Sequence, residues 1–590
     1  MSETKQCQNC KQEFRIEPED FLFYEKIKVP APTWCPECRL KRRLISRQDR
    51  TLYRDNCDLC GKDMMSMYHP DSPYTVYCSP CWWSDKWDAL EYGREYDFKK
   101  PFFEQFGELM RSVPRQATFL NKSVDCEYCD ATTSSKNCYL NFGSYYSEDC
   151  LYCNGPIFSR SSVDADFGMN MDHAYETYAS DDIYNTKFGW FSVQCFDSDF
   201  LFDCKGCSHC FGCINLRNKK YHIFNEPYSK KEYEEKIGYW DLGSYERLQE
   251  AKQKFKSFYY SMPHRWAAII NSTNVTGNGL VNTKNCHQCF STINGVENCK
   301  FAFLIGLNAK DSYDVSFSGE TLELLYETSG LLRSSRTFFT KGGTEILNSE
   351  YCDLSRNSRY LFGCAGVRDK SYCILNKQYS EIEYRDLADQ IKEQMNTLPY
   401  VDARGNVYRY GEYFPDELSV WAYNESYCFE WFPLTKEDAL KKGYRWQDRE
   451  ERNYQITVAA DELSDHIQDV PDSIVNQIIE CAHKGECNHE CVTAYRIIPR
   501  ELAFYRDMNI ALPRLCYNCR FYERIYWRTP PKLWNRACQC AGTKDDRNIY
   551  TNSTSHFHGG GHCPNTFDTA FNPERKEIVY CKDCYQDEFV

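Results

Sequence analysis

No apolar run in this 590-residue chain approaches the ~18 residues needed to cross a bilayer, and its opening segment, MSETKQCQNC, has no signal-peptide core. Those two absences lead us to expect a cytoplasmic protein with no membrane partner. Nor is there an excess of positive charge. Lys+Arg 71 against Asp+Glu 85 leave a net charge of -14, so any contact with nucleic acid must come from a local basic patch. The chain also lacks a P-loop, a dinucleotide-binding glycine fingerprint, a G-x-S-x-G elbow and an H-E-x-x-H helix. Nucleotide-driven and familiar hydrolytic chemistries thus lose their usual carriers, and no catalytic residue is assigned.

Cysteine and aromatic residues are what the chain has in quantity: 35 cysteines and 45 tyrosines, with aromatics at 16%. In a reducing compartment such cysteines are metal ligands or buried thiols rather than disulfides. The first eight fall in four C-x2-C pairs, Cys7/Cys10, Cys35/Cys38, Cys57/Cys60 and Cys78/Cys81. Each pair offers two thiolates to one tetrahedral ion, and two pairs on adjacent hairpins close a site. Sequential pairing is expected here, with an interleaved pairing left open by spacing alone.

The C-terminus copies this plan. CKQEFRIEPEDFLFYEKIKVPAPTWCPEC at 10–38 aligns without gaps to CVTAYRIIPRELAFYRDMNIALPRLCYNC at 491–519, and VYCSPC at 76–81 matches VYCKDC at 579–584. The ligands expected there are Cys487, Cys491, Cys516 and Cys519, then Cys538, Cys540, Cys581 and Cys584. Cys481, His483 and His489 rival the first pair. Cys563, beyond a long insertion, rivals Cys538 or Cys540. Zinc, about four ions per chain, is the expected cofactor.

The middle is duplicated too. FGCINLRNKKYHIFNEPYSKKEYEEKI at 211–237 resembles FGCAGVRDKSYCILNKQYSEIEYRDLA at 362–388, and each copy opens a helix with a capping box, Ser229/Glu232 and Ser380/Glu383. The second helix should bury Tyr384, Leu387, Ile391 and Met395. This register bears on CKGCSHCFGC at 204–213, where a cysteine stands at every third position. Cys204, Cys207 and Cys210 fall on Ser355, Ser358 and Leu361, and only Cys213 keeps a partner, Cys364. Leucine cannot replace an iron–sulfur ligand, whereas it can replace a small inward residue. Packed thiols are the reading, with a zinc site in one copy or a cluster as rivals. Cys126, Cys138 and Cys150 recur twelve apart amid short turns and small, then aromatic or β-branched residues, which suggests coils of a β-solenoid; an all-β sandwich is the alternative.

The fold class expected is therefore mainly β: a duplicated β-solenoid-like middle with short helices, flanked by N- and C-terminal twin zinc ribbons. Its parts would be residues 1–90, 91–265, 266–400, a connector at 401–475 with a short helix near 435–443, and 476–590. The CPEC-RLKRR knuckle, CDLCGKDMMSMY, the paired FGC units and the terminal ribbon together resemble a family of cysteine-rich proteins of genome-reduced uncultivated bacteria, with zinc ribbons at both ends of a repetitive middle. The resemblance implies the architecture and carries no reaction.

Basic residues cluster at one place, RLKRRLISRQDR after Cys38. On a helix Arg39, Arg43, Arg47 and Arg50 share a face, with Lys41 and Arg42 beside them, a spacing that could straddle phosphates. The bland alternative is a solvated face, or pairing with the chain's own carboxylates. The C-terminal copy keeps Arg520, Arg524 and Arg528 and interleaves Tyr522, Tyr526 and Trp527, which could stack bases. Substituting Arg42 and Arg43 is expected to weaken RNA or single-stranded DNA binding with little loss of stability. Trp82, Trp83 and Trp87 read as a docking cluster more than a platform. His556, His558 and His562 beside Cys563 could bind a catalytic or structural ion, or form a mobile loop. The functional expectation is a zinc-stapled binding or scaffold protein whose partners are RNA, single-stranded DNA or protein. A polysaccharide-binding or -cleaving solenoid and a thiol-rich redox or metal-storage protein are the alternatives.

Overall fold

The structure, a computed structural model, describes residues 2–448 and 454–590; positions 449–453 of the connector lie outside the described residues. Two β-solenoids make up the middle, as expected from the recurring cysteines. In the first, strand follows strand in parallel with a constant step: Asp172 pairs with Tyr184, Tyr184 with Phe196, Phe196 with Ser208 and Ser208 with Lys220, twelve residues apart each time. The second stacks ten strands from Ile269–Ile270 to Lys377–Gln378. Its early coils step by thirteen, Lys284 to Glu297 to Lys310. The extra residue is a second left-handed one, at Gly295, Asn308 and Thr321 beside Asn294, Leu307 and Glu320.

The local unit is shorter than the sequence suggested. Instead of strands alternating in and out, the backbone advances in triplets: a residue bridged to the neighbouring coils, a residue in the left-handed region, and a residue pointing inward. φ is 53° at Asp125, 52° at Tyr128, 49° at Ala131 and 52° at Ser134, and this continues down the first solenoid. Left-handed backbone disfavours most L-residues, Asn and Asp least. Asparagine and aspartate therefore recur at these corners and bond from coil to coil, as Asn170 Nδ2 does to Asp182 Oδ1 (2.9 Å), Asn185 to Asp197 (2.8 Å) and Asn298 to Asp311 (3.0 Å). Rings at the same corners stack instead, Tyr146 on Phe158 and Phe188 on Phe200. Much of the chain's Asn, Asp and aromatic content serves this ladder.

The inward residue of each triplet faces the interior of the coil, so it is small or apolar, as Cys207, Ser355, Ile183 and Val367 are. Cys204, Cys207, Cys210 and Cys213 are successive inward residues, and so are Ser355, Ser358, Leu361 and Cys364; all are buried. Each thiol of the run donates to a carbonyl across the coil: Cys204 to Cys213 O (3.4 Å), Cys207 to Leu216 O (3.5 Å), Cys210 to Lys219 O (3.7 Å) and Cys213 to His222 O (3.5 Å). Serine does the same, as Ser180 Oγ does to Gly189 O (3.2 Å). Cysteine suits this wall because it is compact, apolar and a weak donor.

Each solenoid ends on an asparagine turn and a capped helix. Asn225 Oδ1 accepts from Ile214 N and Asn376 Oδ1 from Ala365 N, both at 2.9 Å. Ser229 then caps Lys230–Ile237 and Ser380 caps Glu381–Thr397, with the expected capping boxes. In the second helix Tyr384, Ile391 and Met395 are buried and Leu387 partly so. The connector's short helix is present at Lys436–Lys441, but the segment is no loose tether, because Tyr408, Tyr410, Tyr413 and Phe414 sit in a core shared with the N-terminal ribbons. No helix among the described residues is long and apolar enough to cross a membrane.

Candidate metal centres and the interfaces they hold

Among the described residues, four thiol clusters stand at the ends of the chain. Cys7, Cys10, Cys35 and Cys38 converge, as do Cys57, Cys60, Cys78 and Cys81, with all ligand atoms in each group within 4.8 Å of one another. The pairing within each is therefore sequential. Sulfur separations of 3.7 Å for Cys10–Cys35 and 3.9 Å for Cys60–Cys78 far exceed a disulfide bond and match the edge of a tetrahedron with ~2.3 Å metal–sulfur bonds, about 3.8 Å. The local fold prepares the thiols: Cys35 N donates to Cys7 Sγ (3.3 Å) and Cys78 N to Cys57 Sγ (3.2 Å). Burial opposes ionisation of Cys57, yet amides of Cys78, Cys60 and Leu59 bring its thiol down to about 7. These clusters could each hold a metal ion.

The C-terminal clusters differ from the ligand sets expected. Cys481, not Cys487, joins Cys491, Cys516 and Cys519, and Cys563, not Cys540, joins Cys538, Cys581 and Cys584. Hydrogen bonding gives the reason. Cys516 N donates to Cys481 Sγ (3.3 Å) and Cys581 N to Cys538 Sγ (3.1 Å), so Cys481 and Cys538 take the roles of Cys7 and Cys57. In both copies an inserted loop then separates the first ligand from the second. The short spacings Cys487-x3-Cys491 and Cys538-x-Cys540 imitate a knuckle that the backbone does not form. Cys487 lies in a second group with His483, His489 and Cys519.

The arginines expected to straddle phosphates require a correction. Pro36–Ile45 is indeed a helix following Cys35, but Arg39, Arg42 and Arg43 are at most 1% exposed. Arg39 Nη2 and Arg43 Nη1 pair with the two oxygens of Asp314 at 2.9 and 3.0 Å, while Arg42 bridges Glu327 (2.8 Å) and Glu412 (3.0 Å). Arg47 is held by Asp49 (3.0 Å) and lies over Phe317. Lys41, like Arg47 and Arg50, stays partly exposed and is tied to Glu37 at 2.6 Å. The C-terminal helix Tyr517–Arg524 repeats the arrangement against the other solenoid. Arg520 and Arg524 pair with the two oxygens of Asp164 at 2.7 and 2.8 Å, and Arg524 also with Asp166 at 2.8 Å. Trp527 is buried against Tyr259 and Trp190 rather than open to a base. With a carboxylate opposite each buried guanidinium, these side chains bind solenoid and not phosphate.

The remaining docking is equally reciprocal. Val76–Tyr77 of an N-terminal ribbon pairs with Arg115–Gln116, where the first solenoid begins, and Ile578–Tyr580 of a C-terminal ribbon with Pro263–Arg265, where the second begins. From there Arg115 reaches Asp353 in the second solenoid and Arg265 reaches Asp203 in the first (2.9 Å). Trp82 and Trp87 are buried in this seam, and Arg368 lies over both rings; Trp83 is exposed. Of the three histidines near Cys563, His556 and His558 approach Cys540, whereas His562 turns to Asp546 (2.7 Å) and away from the cluster.

No family model matches the chain, and no curated protein does. Among solved structures, a putative acetyltransferase from Desulfovibrio desulfuricans G20 is 8% identical over 49% of this chain and 74% of its own, with a TM-score of 0.11. A UDP-N-acetylglucosamine acyltransferase from Campylobacter jejuni is 10% identical over 48% and 89%, with a TM-score of 0.09. Likenesses of that size carry no argument about this chain. Cysteine clusters fit to hold metal, together with the paired solenoids, fit a scaffold or binding role.

Proposed function

We propose that the protein is a zinc-locked scaffold: metal folds each ribbon, and each ribbon fastens one solenoid to the rest of the molecule. The observation that carries this is the repeated guanidinium clamp, Arg39 and Arg43 on Asp314 and Arg520 and Arg524 on Asp164. A ribbon too small to fold on its own core would owe its helix, and so its arginines, to the ion. Zinc is the ion assigned because tetrahedral thiolate sites with histidine nearby suit it, and because it brings no redox chemistry to a structural site. Thiols used as ligands and as wall residues fit a reducing, cytoplasmic setting. The test is chelation followed by limited proteolysis. Cleavage confined at first to the ribbons, then opening of Arg115–Asp353 and Arg265–Asp203, is expected; ribbons that resist after complete metal loss would overturn the reading.

A second reading keeps RNA or single-stranded DNA as the partner but moves the contact. Arg356 and Arg368 lie over the exposed ring of Trp83, beside Arg333, in a shallow groove on the second solenoid. Among the described residues neither Arg356 nor Arg368 makes an ion pair, and burial followed by repulsion from Arg368 lowers the pKa of Arg356. Glu345 and Asp369 line the same groove without pairing to either arginine, and cations left unpaired over an aromatic face suit a base and its phosphate. Binding of a single-stranded oligonucleotide at low salt should fall about tenfold in an Arg356→Ala/Arg368→Ala variant and be unchanged in Lys41→Ala. Equal binding by the Arg356→Ala/Arg368→Ala variant removes the reading.

A further inference from the structure

The two C-terminal ribbons share a feature that their N-terminal counterparts lack. Each has its first knuckle opened by an insertion between the first and second ligands: Cys7-x2-Cys10 becomes the longer Cys481…Cys491, and Cys57-x2-Cys60 becomes Cys538…Cys563. The two loops have unrelated sequences and lengths. Each nevertheless delivers one cysteine and two histidines to the same place, the last cysteine of its ribbon.

In the first, His483, Cys487 and His489 gather with Cys519, all ligand atoms within 4.8 Å, and Cys519 also belongs to the four-thiol cluster. Its sulfur lies 3.8 Å from Cys481 Sγ on one side and 3.6 Å from Cys487 Sγ on the other. The Nδ1 atoms of His483 and His489 are buried without a hydrogen-bond partner. In the second, Cys540 Sγ lies 3.3 Å from His556 Nδ1 and 3.4 Å from His558 Nε2, and His558 Nε2 lies 3.3 Å from Cys584 Sγ. Bond lengths of ~2.3 Å to sulfur and ~2.05 Å to nitrogen give a tetrahedral S···N edge of about 3.5 Å, close to these separations. The other ring nitrogen, His556 Nε2, is 3.0 Å from Glu588 Oε2, and both side chains are fully buried. A carboxylate behind a histidine fixes the tautomer that leaves Nδ1 free to ligate. Asn552 Nδ2 donates to Cys540 Sγ at 3.2 Å, a bond that supports a thiolate.

We propose that each C-terminal ribbon holds two divalent ions bridged by its last cysteine, Cys519 in one and Cys584 in the other. This rests on the reading of the ribbons as zinc sites and extends it. The outer ion of each pair takes the bridging sulfur, one further cysteine (Cys487 or Cys540) and two histidines (His483 and His489, or His556 and His558). Charge favours the pair. Four thiolates around one ion leave about −2, whereas five thiolates and two neutral imidazoles around two ions leave about −1. In the first N-terminal ribbon the counterpart of Cys519, Cys38, meets an amide instead: Asn9 Nδ2 donates to its Sγ at 3.3 Å. About six ions per chain follow, in place of about four.

Native mass spectrometry of the full reduced chain loaded with zinc should count about six ions. A His483→Ala/His489→Ala variant should lose one, a His556→Ala/His558→Ala variant one, and the combined variant two, with the four thiol clusters retained. Because these loops could unfold when altered, the unmodified chain loaded with cadmium-113 supplies a second readout. Two pairs of mutually coupled cadmium resonances, each split through its shared sulfur, are expected beside uncoupled N-terminal ones. Four ions in the unmodified chain with all cadmium signals uncoupled would overturn the bridged pairs and leave the ribbons standing. Fewer than four ions would instead remove the ribbon reading and this one with it.

Discussion

The N- and C-terminal ribbons show which parts of a duplicated module are held constant and which are free to change. Constant are the thiol that accepts an amide (Cys7, Cys57, Cys481, Cys538), the helix after the second knuckle, and two arginines closing on one aspartate of a solenoid. Free are the first-knuckle loops, short at one end and long, histidine-bearing insertions at the other. What is kept is the join between ribbon and solenoid. The insertions keep the clamp pairs on Asp164 and add donors beside the clamp helix, where His489 stacks on Tyr522.

The comparison can be broken most sharply at the clamps. Arg43→Ala and Arg524→Ala each leave a buried aspartate, Asp314 or Asp164, short of a partner, and removing one member of a buried ion pair costs about 3–5 kcal/mol. Chemical denaturation should show losses of similar size for the two. This reverses the sequence-based expectation that substituting Arg42 and Arg43 would cost little stability. A loss below about 1 kcal/mol in either would mean that the two joins are not equivalent.

A second difference lies at the seam of the second solenoid. His264 is buried, with Nε2 3.0 Å from Tyr259 O, and burial drives its pKa down to about 4. The folded state thus keeps it neutral where the unfolded chain, with a pKa near 6.5, takes up a proton. Between those values the unfolded state binds more protons, so stability rises with pH from about 4 to about 6.5, by up to ~3 kcal/mol, and is flat above. A His264→Gln variant should flatten this window; an unchanged pH profile would assign the acid sensitivity to other groups.

The smallest effect is expected for a thiol of the walls. Cys207→Ser should cost under about 1.5 kcal/mol, because Ser358 occupies the matching place and a hydroxyl can donate as the thiol does to Leu216 O. Leu361→Ala, at the place matching Cys210, should cost about 2–5 kcal/mol because the cavity cannot collapse in a stacked coil. Thermal or denaturant melts distinguish the two.

The wall was legible because the duplication set Cys210 against Leu361, and leucine cannot ligate. The triplet was not. Left-handed corners filled by Tyr128, Tyr146 and Phe158 look like strand alternation, since ring residues seldom mark φ > 0. N-terminal ligands were legible because a C-x2-C turn is local. Cys481 and Cys563 were hidden because their partners depend on loop length and on where a distant amide points. The fate of Arg39 and Arg43 depended on Asp314, which only the stacking of coils brings beneath the helix; nothing near RLKRR in the chain announces it.

The central claim is that metal holds the ribbons and the ribbons hold the solenoids together. Hydrogen exchange of the full chain before and after chelation tests it directly. The account predicts that amides of Pro36–Ile45 and Tyr517–Arg524 lose protection first, those bridging Val76–Tyr77 to Arg115–Gln116 next, and those inside the coils around Cys204–Cys213 last. Loss of protection beginning in the coils, with the two helices still protected in the metal-free chain, would contradict it.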